Sequence, residues 1–153
     1  MANVRGRGKV GDVVMIDLGN ESFGYGRVLL EPTMAFYDLR SREMVAAREV
    51  VKAPVLFTIW VLNKAIKSEK WEVIGNLPLE DHLKAEPKFF KQDMLSKKFF
   101  IYDDVKNIPA TREDCIGLER ASVWEANHVE DRLRDHFDDV PNKWVESMKL
   151  PEA

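Results

Sequence analysis

Apolar and polar positions alternate along the first half of the chain with a period of two. Gly11–Leu18 predicts a strand, with Val13, Met15 and Leu18 near one side and Val14 and Ile16 on the other. Phe23–Leu30 predicts its hairpin partner, joined through the turn-forming Gly19-Asn20-Glu21-Ser22. Met34–Leu39 follows Pro32 as a third strand. Arg40–Val51 has no clear period. Val55–Leu62 is apolar at nearly every position, which predicts a strand covered on both faces. Trp71–Ile74 is a short strand ended by Gly75, Asn76 and Pro78. Lys88–Asp93 and Lys98–Tyr102 flank Met94-Leu95-Ser96-Lys97 as a further hairpin.

The C-terminal third changes period. Thr111 and Asp114 have capping-box spacing, which predicts a short helical turn before Gly117. Arg120–Trp124 fits strand and helix equally. Asn127–Asp138 is the best helix, because Val129, Leu133 and Phe137 recur every four residues; Pro141 ends it. That stripe is expected to be buried against the sheet in one core with Phe57 and Trp60. Lys143–Leu150 reads as a last strand with Trp144, Met148 and Leu150 on one face. The expected fold is α+β: a mostly antiparallel, strongly twisted sheet or partly open small barrel with one main C-terminal helix. One domain is expected over residues 1–153, opened by a flexible basic arm at 1–10.

Composition narrows the function classes. Net charge is −3, which provides no global attraction for nucleic acid or an anionic membrane. The single cysteine, Cys115, allows neither an intramolecular disulfide nor a thiolate zinc cage, in keeping with a reducing cytoplasm. The first residues lack the apolar stretch of a secretory signal. Gly6-Arg7-Gly8-Lys9-Val10-Gly11 fits GxGxxG as a string, but a strand follows it where a dinucleotide site needs a helix. His128 and His136 lie roughly 12 Å apart along one helix, too far to share an ion. No GxSxG, P-loop or HExxH string occurs. Neither catalysis nor a cofactor or metal is expected.

Two segments remain as candidate contact sites. Gly24-Tyr25-Gly26-Arg27 interrupts a strand with two glycines. Tyr25 and Arg27 share one face and are interface-anchoring residue types, while the glycines flatten the other face for a close neighbour. From Glu125 to Val140, six acidic residues oppose two arginines, a local charge of −4. Glu130, Asp131 and Asp135 on that helix are candidates for steering a basic partner.

Gly11–Leu18 resembles the first strand of small-barrel endoribonuclease toxins of the MazF type, over about eight residues. The arginine-bearing loop that resemblance calls for is replaced here by an acidic turn. A longer resemblance runs through Gly11-Asp12-Val13, Gly24–Val28, Met34–Asp38, Ala65–Ser68, Trp71, Ile74-Gly75 and Pro78-Leu79. It continues with Phe89–Asp93, Ile101-Tyr102 and Lys143–Ser147. In this order the strings resemble the immunity protein 26 family of bacterial polymorphic-toxin systems. The resemblance implies a non-enzymatic cytoplasmic antidote that binds a cognate toxin domain, for instance a nuclease with a basic surface. The rivals are the ribonuclease and a generic binding module.

Overall fold

The computed structural model describes residues 8–103 and 106–152. Of the predicted arm at 1–10, residues 1–7 lie outside them; within its described end, the Lys9 N–H donates to Asp12 Oδ2 at 2.9 Å. Two mixed sheets, neither closed, carry the fold, which is the expected α+β architecture. The larger sheet contains β1 (Asp12–Gly19), β2 (Ser22–Val28), β3 (Thr33–Tyr37), β4 (Val55–Val61), β5 (Trp71–Asn76) and a two-residue strand, Val123–Trp124. Its spatial order is Val123–Trp124, β4, β3, β2, β1, β5. The smaller contains β6 (Phe89–Gln92), β7 (Phe99–Asp103), β8 (Lys106–Ala110) and β9 (Glu119–Arg120), in the order β8-β7-β6-β9. Val123–Trp124 becomes β10. Among the described residues three α-helices follow as α1 (Ala47–Val50), α2 (Ala126–Phe137) and α3 (Lys143–Met148).

Strand alternation buries apolar side chains on both faces of the larger sheet, with a smaller cluster of Leu29, Ala35 and Leu83 beside them. Val14, Ile16 and Leu18 of β1 face α2, with Met34, Phe36, Phe57, Ile59, Val129 and Leu133 in the same cluster. Leu18 therefore sits with Val14 and Ile16, not with Val13 and Met15, because side chains repeat strictly every two residues. Val13, Tyr25, Tyr37 and Val50 form the opposite core under α1. The β1–β2 turn has φ of 52° at Asn20 and 57° at Glu21. Two positive φ values are what a type I′ hairpin needs to match the strand twist.

The helix stripe is only partly as expected. Val129 and Leu133 are fully buried, whereas Phe137 at the end of α2 is half-buried beside the Arg40 guanidinium, 5.3 Å from its ring centre. Trp60 leaves this core altogether. Phe57, Ile59 and Val61 of β4 face α2, so Trp60 points the other way, onto Phe89 and Tyr102 of the smaller sheet at 4.6 and 5.2 Å.

The segment read as a last strand is helix α3. Asn142 Oδ1 accepts the Val145 N–H at 2.9 Å, an N-cap that starts the helix directly after Pro141. Trp144 and Met148 are four residues apart and pack on the α2 core together, which suits helical spacing better than a strand. The capping box forms as expected: the Thr111 N–H donates to Asp114 Oδ2 at 3.0 Å, and the Asp114 N–H to Thr111 Oγ1 at 3.2 Å. Among the described residues no helix is long and apolar enough to cross a membrane.

Candidate functional site

The paired glycines of β2 do leave a flat face. A Cβ at Gly24 would lie 3.3 Å from Leu133 Cδ1, and one at Gly26 would lie 2.9 Å from Phe36 Cε1. Helix α2 rests on Gly24 and the Phe36 ring on Gly26, so the glycines permit the close packing that seats the core.

On the opposite face Tyr25 and Arg27 are buried, both at 0% exposure. Neither can anchor a partner, and this expectation is corrected. The reason is that the loops folding over them use their polar atoms. Arg27 Nε donates to Gly11 O at 2.9 Å, and Nη1 to Tyr37 Oη at 3.0 Å and Glu80 Oε1 at 2.8 Å. Nη2 donates to the carbonyls of Leu77 and Pro78 at 2.8 and 2.9 Å. Tyr25 Oη meets Ser41 Oγ at 2.7 Å and accepts the Val45 N–H at 3.0 Å. The pair thus clamps residues 41–45 and 77–80 onto the sheet. Burial pushes the Tyr37 phenol up, against the opposing effect of Arg27, so it stays neutral beside the guanidinium.

The acidic helix is also largely engaged internally. Glu130 is buried, with Oε2 accepting the Trp71 indole N–H at 2.7 Å and Lys70 3.9 Å from its other oxygen. It is therefore not a surface charge, a second correction. Asp131, about a third exposed, accepts from Arg134 and from the Trp144 indole at 3.1 Å. Its burial acts to raise its pKa, but those two donors and the Arg134 charge outweigh this and hold it below the usual aspartate value. Asp135 Oδ2, half-buried, accepts from Asn142 Nδ2 at 2.9 Å, tying α2 to the cap of α3. Arg132 pairs with Glu119 through both terminal nitrogens and lies 3.6 Å from the centre of the Phe57 ring. These carboxylates orient α2 and α3 on the sheet. Glu130→Ala is accordingly expected to cost about 1–3 kcal/mol by stranding the Trp71 donor, measured by urea unfolding. A solvated steering charge would instead leave the midpoint unmoved.

Beyond these residues the chain presents an open groove of about 710 Å³, lined by Val28, Leu30, Pro32, Val61, Leu62 and Ile66. A smaller hollow of about 230 Å³, lined by Leu79 and Leu83, adjoins it across Leu29 and Leu30. Asn63 Nδ2 donates to Glu31 Oε2 at 2.9 Å on the rim. The groove offers apolar contact area with charge at its margin. Cys115 is buried, and burial together with Asp114 raises its thiol pKa, opposite to what a nucleophile needs. Among the described residues no three His, Cys, Asp or Glu side chains converge where they could hold a metal ion.

The model of one family, immunity protein 26, matches residues 9–101, well over half of the chain. The chain belongs to the immunity protein 26 family. Neither the curated proteins nor the solved structures include a match to it. The matched span runs from the start of β1 into β7 and includes the Arg27 clamp, the apolar groove and the β6–β7 hairpin. Helices α2 and α3, with the string Lys143–Ser147, lie outside the match. Membership of the immunity protein 26 family implies an immunity protein and, with it, a cognate toxin as partner.

Proposed function

We propose that this protein is a cytoplasmic antidote that binds the toxin domain of a polymorphic-toxin system directly and blocks its active site or substrate surface, without turnover of its own. The observation that carries the reading is the family match over residues 9–101. The clamped β2 face supports it: a rigid scaffold keeps surface loops in one geometry, which lowers the ordering cost of binding. Asp131 and Asp135, partly exposed on α2, remain candidates for steering a basic partner, though their present bonds favour a role in folding.

The test is to read the neighbouring open reading frame and, where it encodes a secreted protein with a variable C-terminal domain, to co-express that domain with this chain. Growth should be lost with the toxin alone and restored with both, and the two purified chains should form a stoichiometric complex. Expression of this chain alone should be harmless. RNA cleavage by the purified chain, abolished by a single substitution, would instead support the small-barrel ribonuclease.

A further inference from the structure

The β6–β7 hairpin displays Met94 and Leu95 at its apex, 82% and 94% exposed, more than any other large apolar side chain among the described residues. Their backbone is tightly held. The Asp93 carboxylate accepts the N–H groups of Leu95 and Ser96, each at 2.8 Å, and Gln92 Nε2 donates to Lys97 O at 3.1 Å. The Asp93 N–H donates to Lys98 O at 2.9 Å, and the Lys97 N–H to Asp93 O at 2.9 Å, closing the loop. Lys97 takes up φ of 64° to make the reversal. The turn consumes its own polar groups and leaves two apolar side chains in water, on a frame that need not reorder to bind.

Charge separates this hairpin from the remainder of the molecule. Between Lys88 and Lys98, four lysines face one aspartate, a net +3 within a chain of net −3, leaving −6 elsewhere. Asp93 is bound into the turn, and Asp103 at the far end of β7 lies 3.8 Å from Lys88, so Lys97 and Lys98 are the charges beside the apex.

We infer that the β6–β7 apex is an insertion point for the toxin domain, with Met94 and Leu95 entering an apolar pocket and Lys97 and Lys98 meeting a carboxylate rim. This rests on the antidote reading above. A pocket admits the cationic apex alone, whereas an anionic bilayer would also face the acidic remainder, so a protein partner fits the charge distribution better.

The experiment measures association and dissociation of the full chain with the toxin domain that the co-expression test identifies, carrying an inactivating substitution, at two salt concentrations. Met94→Ser with Leu95→Ser should speed dissociation at least about tenfold while association stays within about twofold, because buried apolar anchors govern residence time. Lys97→Glu with Lys98→Glu should slow association and flatten its salt dependence. Both variants should melt with the wild type. If the wild-type chain binds the toxin and the Met94/Leu95 variant matches it, the insertion point is wrong and the antidote reading stands. If the wild-type chain fails to bind or protect, both fall. Phosphatidylcholine vesicles with and without phosphatidylserine form the other arm: apex-dependent binding to the anionic vesicles, with toxin binding unchanged by the substitutions, would overturn the proposal in favour of a membrane contact.

Discussion

Arg27→Ala should destabilise the protein by about 3–5 kcal/mol, a large share of the roughly 5–15 kcal/mol that holds an ordinary domain together. The guanidinium is fully buried, and its removal leaves the carbonyls of Leu77 and Pro78 without their donor, the Gly11 carbonyl with only the Leu77 N–H at 3.1 Å, and the Glu80 carboxylate without its cation. Arg27→Lys should recover only part of the loss, since an ammonium cannot reach in the three directions that Nε, Nη1 and Nη2 do. Urea unfolding with a constant slope measures both; a cost below about 1 kcal/mol for the alanine variant would show that the clamp is dispensable. The same ion pair has a pH consequence. Partial burial works to raise the Glu80 pKa, but a hydrogen bond from its own backbone and the Arg27 guanidinium hold it below the ordinary glutamate value. A lowered folded-state pKa adds stability that is present above the unfolded value and disappears as pH falls through the folded one. Glu80→Gln should therefore lower stability at neutral and alkaline pH, shallow the acid limb, and leave the slope of the alkaline limb unchanged.

Leu133→Ala should cost about 2–5 kcal/mol. Leu133 is fully buried, and it fills the space that Gly24 leaves on β2. Phe137→Ala, one helical turn further, should cost less, because that ring is only partly buried. The contact with Gly24 gives a sharper test. Gly24→Ala alone forces a methyl to 3.3 Å from both Leu133 and Leu18 and should destabilise. In the Leu133→Ala background the methyl enters the vacated space, so the second substitution should be milder than in the wild type. A double-mutant cycle with no coupling would mean that α2 does not rest on Gly24.

Local order was legible in the sequence wherever short-range physics decides it. The β1–β2 and β6–β7 hairpins, the capping box at Thr111 and Asp114, and the body of α2 follow from period and turn chemistry within a few residues. Where two periods competed, the local reading failed: Trp144 and Met148 fit an alternating strand and a helical stripe alike, and the Asn142 cap with the α2 core chose the helix. The apolar apex also left a sign, since Met94 and Leu95 stand where turns are usually polar.

The sequence by itself determined that Tyr25 and Arg27 share a face and that the glycines beside them make the other face flat, because side-chain direction along a strand depends only on the chain's own period. Whether the Tyr25 and Arg27 face meets water was decided by tertiary structure. Residues 41–45 and 77–80 return to cover it, up to 53 positions away from Arg27, and convert an interface-like pair into a structural clamp. Glu130 shows the same limit: its charge is written in the sequence, but its burial follows from Trp71, 59 residues distant, reaching it across the core. Burial is a property of what packs on top, and long-range packing has no local period to announce it.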